Sequence, residues 1–333
     1  MDISGLTEKE KGFINLIQMI KALKRCNYFW LVFFLFALGT LGLPSAYGNT
    51  AFSWSQIQGG ELSYRTRNRD SLYAIAGRLG QRWEYLARTN ELQPPFALSI
   101  GKTLLVNNRH IFPQSPVNEG LLLNLPGHMI YLFANGNLVK RYPVAIGRPD
   151  WPTPQGHFLI MGKFKNPTWN VPQSIQEEMQ KEGKLVIEKV PPGPDNPLGK
   201  YWLPLSAPGY GIHSTIWPES IGHSTSHGCI RMLPEDIGAL FPYIKPGTPI
   251  SIIYEPIKLA QTPDKKIFLE VHPNVYQKRL SYWDQAQALA LKQGLAAQVD
   301  WGRAASVLAE RTGVAEEITK TIGSWGLPEG VKK

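Results

Sequence analysis

The dipeptide Asn135-Gly136 lies between two apolar runs, residues 129–134 and 138–146, and restricts the fold of this chain more than any other feature. A type I′ turn requires a positive φ at both central positions, which Asn and Gly adopt readily, so the pattern predicts an antiparallel hairpin. Short apolar runs bounded by turn residues predict further strands at residues 121–125, 156–163 and 248–254. The central part of the chain is therefore expected to be a β-rich domain.

A smaller unit precedes this domain, because residues 62–108 have the pattern strand, helix, helix, strand. Asp70 is expected to cap the first helix at its N terminus, and Gly80 is expected to end that helix. Gly101 turns the chain into the last strand of the unit. Residues 109–120 are polar and contain proline, so they are expected to form a linker.

Residues 1–48 have the pattern of a secretory signal, with basic residues before an apolar run and small residues at its end. The apolar run, residues 28–43, is shorter than the roughly 20 residues that span a membrane. We expect export to the periplasm, with this segment either cleaved or kept as an inner-membrane anchor. Translation that begins at either Met1 or Met19 gives such a signal.

The chain contains two cysteines, Cys26 and Cys229. Cys26 precedes the apolar run and leaves with the signal, so the exported protein has one cysteine and makes no internal disulfide. Cys229 is then either a buried inert thiol or a free reactive one. The formal net charge of +9 suits an anionic cell-wall surface, and the absence of an arginine-rich run argues against nucleic-acid binding.

Two longer segments have different compositions. Residues 164–200 contain six prolines and one short predicted helix at 174–182, and loops of this length usually cover or form a binding site. Residues 261–333 are rich in Ala, Gln and Leu, and the apolar spacing predicts helices within 283–298 and 301–320. We expect this helical extension to pack on the main domain or on a partner. The oligomeric state does not follow from the pattern.

The surroundings of Cys229 indicate chemistry, because it stands two residues after His227 and sixteen after His213. A cysteine attacks as its thiolate, and since the thiol normally titrates near ~8.5, an imidazole is needed to take the proton. Gly228 allows backbone N–H groups to approach a reacting carbonyl oxygen. Arg231 is suited to hold a substrate carboxylate or to fix the loop.

Residues 62–108 resemble the LysM module in the segment from Asp70 to Ala76, in Asn90, and in the segment 98–104. Arg69 departs from the glycine that usually precedes the aspartate. Such modules bind the N-acetylglucosamine-containing strands of peptidoglycan. The resemblance therefore implies binding to glycan strands, with Asn90 as a candidate contact.

Residues 121–256 resemble the catalytic domain of the L,D-transpeptidase family in His213 and in the segment 226–231. Segments 153–158, 166–169 and 192–199 extend the resemblance. Ser214 departs from it, because the family usually has glycine after the histidine. The resemblance implies a β-sandwich-like domain, so that the whole chain is expected to be α+β and mainly β.

The same resemblance implies roles for individual residues. Cys229 is the nucleophile and His213 the base that takes its proton. His227 supports the loop, and the backbone N–H groups of His227, Gly228 and Cys229 form an oxyanion hole. Arg231 completes the catalytic set, and no cofactor or metal is expected. The candidate substrate contacts in this domain are Ser214, Ser226 and Trp169.

The implied reaction is attack by Cys229 on the L-centre of the diamino acid in a peptidoglycan tetrapeptide stem, with release of D-alanine. A second stem, a lysine of an outer-membrane lipoprotein, or water then resolves the thioester. The resemblance also implies that carbapenems acylate the protein. Two other functions stay open, a wall-binding protein without catalysis and a zinc peptidase. The zinc set would be His213, His223, His227 and Cys229, although neither a second exported cysteine nor an HExxH pair accompanies it.

Overall fold

The structure, a computed structural model, describes residues 57–113 and 118–321. The predicted signal, residues 1–48, lies outside these ranges. In the described part of the chain, no helix is both long and apolar enough to cross a membrane. The described residues are α+β and mainly β, as predicted.

The first unit has the predicted order of two strands around two helices. Leu72, Ile75 and Leu86 of the helices pack on Leu104 and Val106 of the last strand to form its core. Its elements are β1 (Ile57–Gln58), β2 (Glu61–Arg65), α1 (Leu72–Leu79), α2 (Trp83–Thr89), β3 (Thr103–Asn107) and β4 (His110–Ile111). Strands β2 and β3 pair antiparallel.

The N-terminal cap of α1 is Ser71 and not Asp70, so that prediction is wrong. The Ala74 N–H donates to Ser71 Oγ at 3.1 Å, whereas the Asp70 carboxylate accepts from the Arg67 N–H at 2.7 Å and pairs with Arg78. Asp70 thus fixes the loop before the helix. Gly80 ends α1 in the left-handed conformation, as predicted.

A ten-stranded sheet forms the central domain. Its strands are β5 (Gly120–Asn124), β6 (Met129–Ala134), β7 (Asn137–Gly147), β8 (Gly156–Leu159), β9 (Phe164–Lys165), β12 (Tyr201–Pro204), β13 (Gly211–Ser214), β14 (Ser224–Ser226), β15 (Ile230–Met232) and β16 (Pro249–Ile253). The strand order is β8-β16-β5-β6-β7-β15-β13-β12-β9, with β14 paired to β7. The predicted hairpin is β6–β7, and Asn135 and Gly136 both have positive φ, 52° and 71°.

The long loop before β12 contains β10 (Trp169–Asn170), α3 (Gln173–Lys181) and β11 (Lys189–Val190), and β10 pairs with β11. Helix α3 has no buried residue, so it forms a cover and contributes nothing to the core. After β15 the chain continues into α4 (Pro234–Leu240). We refer to residues 164–200 as the cover loop.

The C-terminal part contains α5 (Tyr282–Lys292) and α6 (Trp301–Glu310), which overlap the two predicted helical segments. It also contains an antiparallel three-stranded sheet that was not predicted, formed by β17 (Ile257–Gln261), β18 (Ile267–Val271) and β19 (Ala315–Glu317). Strands β17 and β18 are almost wholly buried and carry Lys258 and Glu270 at inward positions. They therefore lack the alternation of apolar and polar residues that identifies a half-buried strand.

The LysM-like unit packs directly against the central domain. A Cβ atom on Gly77 of α1 would lie 2.2 Å from the carbonyl oxygen of Ile221, and one on Gly222 would lie 2.2 Å from the Gly77 Cα. The two backbones are therefore in contact, at a distance that only glycine permits.

The expected linker is also part of the packed structure, which corrects that prediction. Strand β4 pairs with β1, and His110 and Ile111 are buried. The Ile111 N–H donates to the carboxylate of Glu270 in β18. This contact joins the segment to the C-terminal sheet, so residues 109–113 hold the units in place.

Candidate active site

Cys229 follows a sharp turn between β14 and β15. Gly228 has a φ of 100°, and a Cβ atom there would lie 2.6 Å from Tyr210 Cε1. Ser226 Oγ donates to the Cys229 carbonyl oxygen at 2.5 Å and accepts from the Gly228 N–H at 3.2 Å. Thr153 Oγ1 donates to the Gly228 carbonyl oxygen at 2.7 Å. Ser226 thus supports the turn itself.

His213 and Cys229 line the same cleft. His213 lies in β13, which runs parallel to β15, and its side chain is buried. Its Nδ1 atom is 2.6 Å from the carbonyl oxygen of Ser214. Because a carbonyl oxygen only accepts, Nδ1 carries the proton and Nε2 keeps a lone pair. Nε2 is therefore the nitrogen that is able to accept a proton from a thiol.

Burial keeps both members of this pair uncharged. It lowers the pKa of His213 to about 3, with the charge of Arg231 acting in the same direction and the carbonyl groups of Ser214 and Pro197 opposing it. Burial also raises the pKa of the Cys229 thiol to about 11. The sequence pattern predicts that an imidazole ionises the thiol. At neutral pH the structure instead favours a protonated thiol, which donates weakly to the Gly209 carbonyl oxygen at 3.5 Å, and a neutral imidazole in the same cleft.

Alkylation of Cys229 by iodoacetamide is expected to become about tenfold faster with each pH unit from 7 to 9, because the reactive thiolate fraction rises in that proportion below a pKa of about 11. Intact-mass spectrometry of timed samples measures the rate. Free cysteine is the control, since its rate levels off near ~8.5. A rate for Cys229 that is already constant from pH 7 would indicate a preformed thiolate and contradict this charge state.

His227 is held by the cover loop. Its Nε2 atom lies 2.5 Å from Glu178 Oε2, and the other carboxylate oxygen of Glu178 accepts from Arg148 at 2.5 Å. The hydrogen bonds from Arg148 and then from His227 lower the pKa of Glu178. The ring of Trp151 packs edge-on against His227, with centroids 4.9 Å apart. Sequence analysis missed Glu178, which comes from α3.

Arg231 also lines the cleft, with its guanidinium 5.1 Å from the centroid of the Trp217 ring. Its Nε atom is buried and has no hydrogen-bond partner in the described structure, and burial lowers the pKa of the guanidinium. Trp202 also lines the cleft, with its ring centroid 6.1 Å from that of His213. Trp202 is not among the residues that the sequence predicted for the site.

The cleft has a volume of about 700 Å³ and is closed on one side by the cover loop. Trp169 lines it from β10, while Ile175 and Met179 line it from α3. The walls are thus largely apolar, with polar side chains from the cover loop, among them Asn170 and Asp195, and from the turn of Cys229. An apolar cleft with a few polar groups is suited to hold an organic ligand in one orientation.

Three predicted residues lie elsewhere. Ser214 is buried, and its Oγ accepts from the Tyr201 N–H at 3.2 Å. The side-chain amide of Asn90 bonds to the backbone of Leu86 and Leu105, which ties α2 to β3, so glycan binding by Asn90 stays a prediction. His223 stacks on Tyr73 and lines a different pocket.

The four residues of the zinc hypothesis do not lie together, because His223 lines a different pocket and only His213, His227 and Cys229 share the cleft. Among the described residues, no group of three or more His, Cys, Asp or Glu side chains is arranged to hold a metal ion. The donor set of the zinc hypothesis is therefore not assembled in this fold.

The chain matches the family model of the YkuD L,D-transpeptidase catalytic domain over residues 118–252 and that of the LysM domain over residues 64–107. It is 32% identical to "Probable L,D-transpeptidase ErfK/SrfK" of Salmonella typhimurium, over 76% of this chain and 84% of that protein. It is also 32% identical to "Probable L,D-transpeptidase YcfS" of Escherichia coli, over 75% of this chain and 80% of that protein. A solved L,D-transpeptidase from Mycobacterium smegmatis is 20% identical with a TM-score of 0.34, covering 46% of this chain and 64% of the other, a likeness too weak to bear on function.

Proposed function

Because this chain belongs to the L,D-transpeptidase family, we propose that it is a periplasmic acyltransferase in which Cys229 attacks the stem peptide of peptidoglycan. The observation that carries the proposal is that Cys229 and His213 line one cleft, with Nδ1 of the histidine on the Ser214 carbonyl oxygen and Nε2 left as the proton acceptor. The substrate is a tetrapeptide stem, and the bond broken joins its L-diamino acid centre to D-alanine.

In the first half-reaction the thiol loses its proton as it attacks, since neither group is charged at rest. Sγ of Cys229 forms a bond to the carbonyl carbon, and the proton moves to Nε2 of His213. The protonated imidazole then gives this proton to the leaving amine of D-alanine. The carbon–nitrogen bond breaks and a thioester remains on Cys229. An enclosed apolar cleft favours such a concerted transfer because it does not stabilise a separated ion pair.

The oxyanion formed during attack needs hydrogen-bond donors close to Cys229. Of the three backbone N–H groups considered above, that of Gly228 donates to Ser226 Oγ at rest. We therefore assign the oxyanion to the N–H groups of Cys229 and His227, with His227 positioned by Glu178. Arg231, whose Nε atom has no partner among the described residues, is assigned to a carboxylate of the stem peptide.

In the second half-reaction an amine attacks the thioester carbonyl carbon while neutral His213 takes its proton. The carbon–sulfur bond breaks, and the protonated imidazole returns that proton to Sγ of Cys229. A diamino acid of another stem gives a 3→3 cross-link, and a lysine of an outer-membrane lipoprotein gives a wall anchor. The LysM domain is assigned to the glycan strands that carry the stems. Since it packs directly on the catalytic domain, it fixes the direction in which a strand meets the cleft as well as raising the local concentration of stems.

The test is product analysis after the purified protein is incubated with disaccharide-tetrapeptides, with and without a lysine-containing acceptor peptide. We expect D-alanine release together with either 3→3 dimers or the peptide conjugate, in the presence or absence of EDTA. Prior alkylation of the thiol should abolish both products. Release of D-alanine that survives alkylation but stops with EDTA would overturn the thiol mechanism and support a metallopeptidase.

A further inference from the structure

A second pocket lies where the LysM domain, the catalytic domain and the C-terminal sheet meet. Its volume is about 400 Å³. The LysM domain contributes the segment from Gly80 to Glu84 together with Tyr73, and the catalytic domain contributes Gly222 to Ser224 with His128. Residues His272 and Gly313 complete it from the C-terminal part. We refer to this space as the junction pocket.

The junction pocket is lined by polar groups that have no partner within the described structure. The side chain of Gln81 is buried, with 8% of the residue exposed, yet neither Nε2 nor Oε1 makes a hydrogen bond. Nε2 of His223 is also buried without a partner. A buried amide without partners costs free energy, so such groups require an explanation. Gln81 thus offers an amide NH₂ donor and a carbonyl acceptor, and His223 offers one ring nitrogen.

The pocket carries no unpaired charge. Burial lowers the pKa of His128 to about 3 and that of His223 to about 4, and it lowers the pKa of His272 as well. His128 and His223 are therefore neutral at physiological pH, and His272 Nε2 contacts the buried Glu270 carboxylate at 2.6 Å. The two charged side chains at the rim, Arg82 and Glu84, pair with each other at 2.7 Å. Neither an anion nor a cation finds a counter-charge here.

Aromatic surfaces complete the lining. The ring of Tyr73 stacks on that of His223 with centroids 3.6 Å apart and 9° between the planes, and Tyr73 remains 46% exposed. Trp83 lines the pocket beside Gln81. Aromatic rings with a polar edge, combined with neutral donors and acceptors, fit a ligand that has apolar faces and many hydroxyl or amide groups.

We propose that the junction pocket binds an uncharged saccharide unit through Gln81 and His223, with Tyr73 and Trp83 contacting the faces of the sugar. None of residues 91–102, the loop after α2, lines this pocket. The binding site is thus formed by all three parts of the protein and does not belong to the LysM domain alone. The proposal rests on the proposed function only for the source of the saccharide, the wall glycan.

Binding is tested in the full chain carrying Cys229→Ala, so that its outcome is independent of the thiol chemistry. The probe is a trimer of N-acetylglucosamine, titrated by calorimetry and followed by amide hydrogen exchange. We expect slower exchange in residues 77–84 and 221–224 when the trimer is bound. Adding Gln81→Met should weaken binding at this site by about tenfold, because both hydrogen-bonding atoms are lost at nearly constant volume.

Gln81→Met should not destabilise the protein, since the amide it removes makes no hydrogen bond in the described structure. Gln58→Met, at an exposed position of the same unit, is the matched control and should bind as tightly as the parent.

If Gln81→Met fails to fold, His223→Phe keeps a ring against Tyr73 and removes Nε2, with the same expected weakening. Three results would each overturn the proposal: absence of binding, protection confined to residues 66–71 and 91–102, and equal affinity in the parent and in Gln81→Met. Water would then be the only occupant of the junction pocket.

Discussion

Replacement of Cys229 by alanine is expected to lower the rate of D-alanine release by about 10³-fold or more. Without Sγ no thioester forms, and the remaining groups of the cleft bind the stem but supply no nucleophile. The melting temperature should change little, since Sγ makes only a weak hydrogen bond, to the Gly209 carbonyl oxygen at 3.5 Å, and the hydrogen bonds of the turn involve the backbone, Ser226 and Thr153. A coupled D-amino-acid oxidase assay measures the rate.

The matched control for this substitution is Ser306→Ala, because Ser306 is an exposed residue of α6 and does not line the cleft. This variant should keep the parental rate. Release of D-alanine by Cys229→Ala at more than about a tenth of the parental rate would contradict the assigned role, provided that the protein has been purified free of other transpeptidases.

Replacement of Glu270 by alanine is expected to lower the free energy of unfolding by about 3–5 kcal/mol. Glu270 is fully buried in β18, and its carboxylate lies 2.6 Å from Lys258 Nζ and 2.6 Å from His272 Nε2. Burial alone raises the pKa of Glu270, but the charge of Lys258 outweighs this and holds it well below its ordinary value. Removing the carboxylate leaves the Lys258 ammonium buried without a counter-charge. Urea denaturation followed by circular dichroism gives the loss.

The control is Glu317→Ala, which breaks the exposed 3.5 Å pair between Glu317 and Lys266. Exposed pairs contribute under about 1 kcal/mol, so this variant should unfold almost like the parent. Adding Lys258→Met to Glu270→Ala should restore much of the stability by removing the orphaned charge. If Glu270→Ala and Glu317→Ala lowered the free energy of unfolding by equally small amounts, the buried cluster of Glu270, Lys258 and His272 would not be what holds the C-terminal sheet to the rest of the chain.

Features fixed by neighbouring residues could be predicted from the sequence. The β6–β7 hairpin follows from the left-handed preference of Asn135 and Gly136, which acts within the turn itself. A local pattern and a family resemblance placed Cys229 and His213 in one site, and both residues line one cleft. The charge state of this pair could not be predicted, because it depends on how much water the folded cleft excludes.

Features that depend on distant contacts were missed. Glu178 meets His227 across 49 positions, and nothing in an exposed helix distinguishes it from other surface glutamates. Trp202 lies in β12, and the sequence of this strand is equally compatible with a side chain in the core and a side chain in the cleft. The sequence did contain a signal for one distant contact, the glycine Gly77 inside α1. A glycine inside a helix costs about 1 kcal/mol of stability, and it often marks the close approach of another backbone.

The most direct test of the thiol mechanism is mass spectrometry of the protein after it is mixed with a disaccharide-tetrapeptide and quenched in acid within a second. We expect an adduct equal to the substrate minus D-alanine, located by peptide mapping on Cys229 and removed by hydroxylamine as a thioester. Meropenem should acylate the same residue. D-Alanine release without any adduct on Cys229, or an adduct that persists in Cys229→Ala, would contradict the thiol mechanism.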